Sequence, residues 1–281
     1  MDVVYVWNYL NKNYNIDRFN VTQFEKLFIT DIRVVLDNEL LNQKYVYASG
    51  CHYTKDLSLI KALSELIERL VFLSPFVGPI EFINDAHYTP DINQQLVPLS
   101  LVTPYFSIKA TFSTHGHACH TESHLAIVAA ENEYYEHHIK NALLETLAQG
   151  TLSEVKESDI KIHGVDDISI LKSFKKIIIY YPSFYFCLVW HPLYKHVIGA
   201  ACNQSLKKTI EKAFFEGLSL LQATSKVKDN TEFMEECADY TDIYPGKYLS
   251  TQVIPRPLII RRHSQILTDL KLCLFQAVDH V

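Results

Sequence analysis

The sequence predicts an α+β fold built from three related strand, turn and helix units that share one acidic centre. Three observations carry that expectation. An Ala-x-x-Glu core recurs on amphipathic stretches at Ala62 to Glu65, Ala130 to Glu133 and Ala213 to Glu216. Each stretch follows a turn and a segment rich in β-branched or aromatic side chains, the pattern of a strand leading into a helix. The spacing of Glu65, Glu133 and Glu216 is too uneven for a stacked solenoid, which leaves units packed around a centre.

Taken in order, residues 1 to 30 mix aromatics with Asn and Lys, and Thr22 to Phe28 is read as a short helix. Ile32 to Leu36 and Lys44 to Ala48 read as strands, with Ser49-Gly50 as the break after them. Asp56 is placed as the cap of a helix reaching about Leu73, on which Leu59, Ala62, Leu63, Leu66, Ile67 and Leu70 recur at helical spacing. Pro75, Pro79 and Pro90 mark an irregular connection before a strand from Tyr105 to Phe112. The second helix starts near Thr121-Glu122 and runs towards Leu147. Gly150 to Asp167 reads as a surface connection. Lys176 to Tyr181 and Phe184 to Trp190 read as a hairpin of buried strands, and His196 to Cys202 as a third strand. It enters a helix from Leu206 to Gln222. Lys226 to Pro245 is polar and acidic. Gln252 to Ile260 is placed at a sheet edge, because Pro255 and Pro257 cannot donate to a ladder. A helix from Ile266 to about Ala277 closes the chain.

Composition narrows the class. With 281 residues of which 48% are hydrophobic, the chain can bury a substantial core, and it is read as one domain over 1–281. A net charge of -6 argues against a general nucleic-acid binder. No apolar run is long enough to span a bilayer, and the first residues lack a basic segment followed by an apolar signal core. Six scattered cysteines without a C-x-x-C point to reduced thiols, hence to a cytoplasmic protein.

The acids carry the chemistry. On a helix, Glu65 with Glu68, and Glu133 with Glu136, lie three apart and therefore side by side. Like charges at that spacing oppose the helix by a few tenths of a kcal/mol unless a cation neutralises them. Arg69, four residues after Glu65, can do so locally. A hard divalent ion such as Mg²⁺ is the other natural neutraliser. Each helix alone can also be an ordinary solvated face with a local ion pair.

At these residues the chain resembles the YcaO family. Gly50-Cys51-His52-Tyr53-Thr54 followed by Lys61-Ala62-Leu63-Ser64-Glu65-Leu66-Ile67-Glu68-Arg69 matches the family's glycine-lysine-glycine turn and Ser-Ala-Leu-Gly-Glu-x-x-Glu-Arg helix. Thr114-His115-Gly116-His117-Ala118-Cys119-His120 and then Glu131-Asn132-Glu133-Tyr134-Tyr135-Glu136-His137 match its Ser-Asn-Gly turn and Leu-x-Glu-x-x-Glu-Arg helix. Ala213-Phe214-Phe215-Glu216-Gly217-Leu218-Ser219 matches its Ala-Leu-x-Glu-x-x-Gln helix. The similarity spans about 45–225, with 226–281 as a C-terminal strand and helix.

The resemblance implies a YcaO-like fold around an acidic nucleotide and Mg²⁺ site. It implies Glu65, Glu68, Glu133, Glu136 and Glu216 as Mg²⁺ ligands, and Lys61, Arg69, His115 and His137 as nucleotide-binding groups. It assigns no catalytic residue. It implies an ATP- and Mg²⁺-dependent enzyme that modifies peptide-backbone amides, cyclising Cys, Ser or Thr to azolines (thiazole and oxazole precursors) in a ribosomally made bacteriocin-type peptide. The implied partners are the precursor peptide and a leader-binding partner protein, for which a dehydrogenase is one candidate, in a hetero-complex or homodimer. Every acid of the motifs is kept. Most of their neutral and cationic neighbours are replaced, by Cys51, His52, Lys61, His115, Cys119, His137 and Ser219. A non-catalytic scaffold subunit of the same kind of complex is therefore the alternative. A second alternative is zinc held by the cluster His115, His117, His120 and His124, with His120 and His124 four apart at a helix start. Arg261-Arg262-His263 reads as a surface patch able to meet phosphate or peptide.

Overall fold

A computed structural model of the chain describes residues 1–36, 45–73, 81–83, 90–91, 116–148, 169–181, 183–226, 254 and 257–278. The expected strand at Tyr105 to Phe112, the connection at Gly150 to Asp167, the acidic stretch after Lys226, and His115 lie outside them. The chain divides into two compact units, Met1–Tyr134 with Pro255–Val281, and Tyr135–Ile254.

The first unit opens with helix α1 (Val3–Asn13), which the Asn-rich composition concealed. Asp2 caps it by accepting the Tyr5 amide at 3.1 Å, and Val6 and Leu10, one turn apart, enter the core. The expected helix at Thr22 to Phe28 is instead a hairpin. Strands β1 (Asn15–Phe24) and β2 (Leu27–Val35) pair antiparallel, and Glu25 turns between them with φ 50°. Thr30, Ile32 and Val34 recur every second residue on one buried face of β2, and that period of two outweighs the polar helix-like spacing before it. Strand β3 (Tyr45–His52) pairs with β2 and does not stop at Ser49-Gly50. Gly50 is needed for close approach: a Cβ there would lie 2.1 Å from the Ser58 carbonyl oxygen and 2.5 Å from the Ala62 nitrogen. Helix α2 (Lys55–Leu73) follows as expected, but Thr54 rather than Asp56 accepts at its start, from the Leu57 amide. Ala62, Leu63, Leu66, Ile67 and Leu70 pack with α1, β2 and β3 in one core.

The unit's second sheet has the order β5 (Pro90–Asp91), β4 (Glu81–Ile83), β10 (Leu258–Arg262), β11 (Cys273–Val278), β6 (His117–His120), all antiparallel. Two expectations fail here. β10 is an interior strand: its prolines precede it, so nothing prevents Leu258–Arg262 from pairing on both sides. The closing helix ends early. Helix α5 (Gln265–Leu270), capped by Ser264, stops at Lys271, whose backbone is left-handed at φ 53°. Cys273–Val278 then extends because its partners β10 and β6 flank it, a non-local demand that outweighs helical spacing.

In the second unit, β7 (Lys175–Tyr181), β8 (Phe184–His191) and β9 (Tyr194–Asn203) form one antiparallel sheet, with the hairpin and third strand as expected. Both faces are covered, which explains the unbroken apolar run of β8. Ile139 and Leu143, from the C-terminal half of helix α3 (Ser123–Ala148), pack on the face with Phe186, Leu188 and Ala200. Helix α4 (Leu206–Lys226) covers the other. There Gly199 lets the backbones meet, since a Cβ would sit 2.0 Å from the Ala213 carbonyl oxygen. Among the described residues no helix is long and apolar enough to cross a membrane.

Candidate functional site

The glutamates follow from how the helices meet the edges of the strands. Among the described residues β3, β6 and β9 are each the last strand of their sheet, so one edge of each presents amides that the sheet leaves unpaired. Glutamates meet all three edges. Glu65 accepts the Ser49 amide of β3 at 3.1 Å, and Glu216 accepts the Ala200 amide of β9 at 2.9 Å, at the same offset of 16 residues. Glu68 accepts the Cys119 amide of β6 at 2.7 Å. The alanine of each Ala-x-x-Glu core explains its own place: Ala62, Ala130 and Ala213 are all fully buried. On α2 and α4 this small residue lets the helix approach, and the carboxylate one turn later, Glu65 or Glu216, reaches the strand. In those two units the repeat therefore has a structural role that spacing alone did not show.

In the first unit Arg69 forms an ion pair with Glu65 and also donates to the Tyr47 carbonyl of β3. Lys61 reaches back to the Cys51 carbonyl at 3.1 Å, so it tethers the end of β3. Glu133 and His137 are half-buried on α3. Burial pushes the Cys51 thiol up to about 12 and raises that of Cys119 as well, so neither is a thiolate near neutral pH.

The second unit holds a four-charge cluster. Glu136 is 4% exposed, and Lys212 donates to it at 3.2 Å. Lys140 lies 3.9 Å from Glu216. Burial pushes the Glu136 carboxyl up to about 7; Lys212 and Lys140 oppose the rise, and the Glu216 charge adds to it. Sequence reasoning missed both lysines. The available signal was their i,i+4 spacing, Glu136 to Lys140 and Lys212 to Glu216. In the structure the pairs cross between α3 and α4 instead.

Carboxylate oxygens are the donors that Mg²⁺ takes, commonly one or two of them completed by water and phosphate. Glu65 with Glu68, and Glu136 with Glu216, supply that donor type in the two units. Each carboxylate has about four acceptor positions, so a bond to an amide or a cation leaves others. Among the described residues no three His, Cys, Asp or Glu side chains gather closely enough to hold an ion. The residues thus fit a magnesium ion that brings further oxygen ligands of its own. The histidine cluster is arranged differently from expectation: His117 and His120 lie on strand β6, three residues apart and hence on opposite faces. His120 accepts the Glu122 amide at 3.0 Å, and only His124 is on the helix.

No protein-family model and no curated protein matches the sequence. Solved structures do. The chain is similar to YcaO from Methanopyrus kandleri, a structure bound with AMPPCP and Mg²⁺, with TM-score 0.70 and 11% identity, covering 98% of this chain and 88% of that one. It is also similar to a chain of the E. coli microcin synthetase McbBCD complex with pro-MccB17 bound, with TM-score 0.59 and 13% identity over 93% and 87%. A heterocyclase in complex with substrate and cofactor matches with TM-score 0.56 and 11% identity, over 94% of this chain and 49% of that one. The similarity, over 93–98% of this chain, carries one conclusion: this protein has the fold of the YcaO proteins.

Proposed function

We propose that the chain acts as an ATP- and Mg²⁺-dependent YcaO-type enzyme that modifies peptide-backbone amides, by cyclodehydration of Cys, Ser or Thr to azolines. The observation that carries the reading is the buried Glu136 beside Glu216. A carboxylate withdrawn from water, with a second, partly exposed one near enough to add to its raised pKa, is costly to keep, and a bound cation gives the cost a use. The fold supports it, since a protein of the same fold binds AMPPCP and Mg²⁺. Glu65, Glu68 and Glu133 of the first unit, with Glu136 and Glu216 of the second, are the proposed Mg²⁺ ligands. Lys61, Arg69, His115 and His137 are the proposed nucleotide contacts. Mg²⁺ would neutralise charge on the transferred phosphoryl group. The protein's own contribution is positioning: Arg69 and the Ser49 amide orient Glu65, the Cys119 amide orients Glu68, and the Ala200 amide orients Glu216. The proposed partners are a precursor peptide and a leader-binding protein, in line with a neighbour that is a synthetase complex with pro-MccB17 bound.

One observation favours a second reading, a non-catalytic scaffold of the same fold. Glu65, Glu216 and Arg69 already serve the strand edges, and Lys140 and Lys212 supply the second unit's acids with positive charge. The test combines the protein with ATP, Mg²⁺, proteins encoded beside it and candidate precursor peptides, and follows peptide mass. Loss of one water per modified residue, abolished by Glu68→Gln, is the expected result. Nucleotide binding without turnover in any mixture selects the scaffold.

A further inference from the structure

Lys212 is the member of the second unit's charge cluster that the proposed metal chemistry leaves without a use. Each ammonium of the cluster stands on the helix opposite the acid it faces, so Glu136 and Glu216 are each already matched by a positive charge. The two pairs are not equivalent. Lys140 lies 3.9 Å from Glu216, and the Glu216 side chain is 37% exposed, so that acid keeps open access to water. Lys212 donates at 3.2 Å to Glu136, whose side chain is only 5% exposed, while half of the Lys212 side chain is in solvent. Lys212 thus runs from the surface to a buried carboxylate. The α4 backbone that carries it is pinned, since a Cβ on Gly199 of β9 would stand 2.0 Å from the Ala213 carbonyl oxygen and 2.5 Å from the Gly217 nitrogen. Any movement of Lys212 is therefore a movement of its side chain, a flexible four-carbon stem with a compact charge at its end.

We propose that Lys212 and Mg²⁺ are exchangeable partners of Glu136: the ammonium holds the carboxylate when no metal does, and a metal-bound polyphosphate draws it off to a phosphate oxygen. The proposal rests on the Mg²⁺ and nucleotide reading of this site and adds its regulation. Metal alone is kept off Glu136, and metal and nucleotide bind as a unit. Charge gives the reason. A divalent ion and an ammonium on one poorly solvated carboxylate repel each other, with little water between them to screen it. Mg²⁺ arriving alone must turn the ammonium out into solvent and offers it no new partner. A nucleotide brings that partner with it, because phosphate oxygens accept charge-assisted hydrogen bonds from an ammonium as carboxylates do. The coupling is reciprocal, so the metal favours the nucleotide as much as the nucleotide favours the metal.

Mg²⁺ alone, and AMPPCP together with Mg²⁺, are titrated into the full chain by calorimetry at pH 8, for wild type, Glu136→Gln, Lys212→Met and the double variant. Wild type and Glu136→Gln should respond to Mg²⁺ alone in the same way, because Lys212 keeps the ion from Glu136. Lys212→Met should bind Mg²⁺ alone about fivefold more tightly, the screened strength of a half-exposed ion pair, and the double variant should lose that gain. The same Lys212→Met should bind AMPPCP with Mg²⁺ about tenfold more weakly, having lost one charge-assisted hydrogen bond to phosphate. Opposite signs in one variant are what exchange requires; a lysine that only holds the helices together would move both affinities in one direction. Lys207→Met removes a lysine of the same helix that faces Glu211, and it should move neither. Weaker binding of Mg²⁺ alone by Glu136→Gln overturns the proposal without any Lys212 variant having to fold. So does a Lys212→Met whose two affinities shift together or stay unchanged. Where wild type still binds AMPPCP with Mg²⁺, those results remove the exchange alone. No binding of AMPPCP with Mg²⁺ to wild type removes the nucleotide reading and the exchange with it.

Discussion

Lys212→Met tests the second unit's charge cluster most directly. The substitution keeps the side-chain length but removes the cation that donates to Glu136 at 3.2 Å. Breaking a fully buried ion pair costs about 3–5 kcal/mol, because the surviving charge is stranded. The Lys212 side chain is half exposed, so solvent screens the pair and about 1–3 kcal/mol is the expected loss at pH 8. The pH dependence gives the sign. The Glu136 carboxyl is raised from 4.5 to about 7, so the folded chain holds this proton more tightly than the unfolded chain. Its contribution to stability is complete below 4.5 and is lost as the pH rises through 7, roughly 3 kcal/mol over that window. Without Lys212 the folded pKa climbs further, since Glu216 still repels and Lys140 alone still attracts. The loss then continues above pH 7, while near pH 5 the variant stays close to wild type. Urea unfolding of wild type, Lys212→Met, Glu136→Gln and the double variant at pH 5 and pH 8 measures this. The double variant should recover most of the stability lost by Lys212→Met at pH 8, because no charge remains to be stranded. An equal loss at both pH values, or no recovery in the double variant, refutes the reasoning.

Other outcomes follow from the strand edges. Glu216→Ala leaves the buried Ala200 amide without its acceptor and should cost about 1–3 kcal/mol in denaturant unfolding, while Glu216→Gln retains a carbonyl and should cost less. Gly199→Ala places a Cβ 2.0 Å from the Ala213 carbonyl oxygen. The α4 backbone must shift, so low soluble yield or a loss of about 3 kcal/mol or more is expected. Glu68→Gln keeps an acceptor for the Cys119 amide, so its melting temperature should stay within a few degrees of wild type. Mg²⁺-dependent ATP binding, measured by calorimetry, should fall at least about tenfold, the loss of one charged ligand.

Much of this protein is local and was readable before any tertiary contact was known. Ala62, Leu66 and Leu70, or Ala213, Phe214 and Leu218, repeat at the period of a helix, and that period survives whatever surrounds it. The acids at Glu65, Glu133 and Glu216 stand at matching places on three such helices, which the order of residues determines by itself. The misread elements are those whose partners are distant. Residues 273–278 extend because β10 and β6 lie on either side, and β10 is interior because β4 pairs with its far edge; neither demand is visible in a window of ten residues. The same holds for the site. Glu136 to Lys140 and Lys212 to Glu216 read as two intrahelical pairs, and only the packing of α3 and α4 at the β9 edge crosses them. The sequence thus determined which carboxylates the protein keeps. Tertiary structure decided what each one holds, because an unpaired strand amide or a buried charge takes the partner that packing brings within reach.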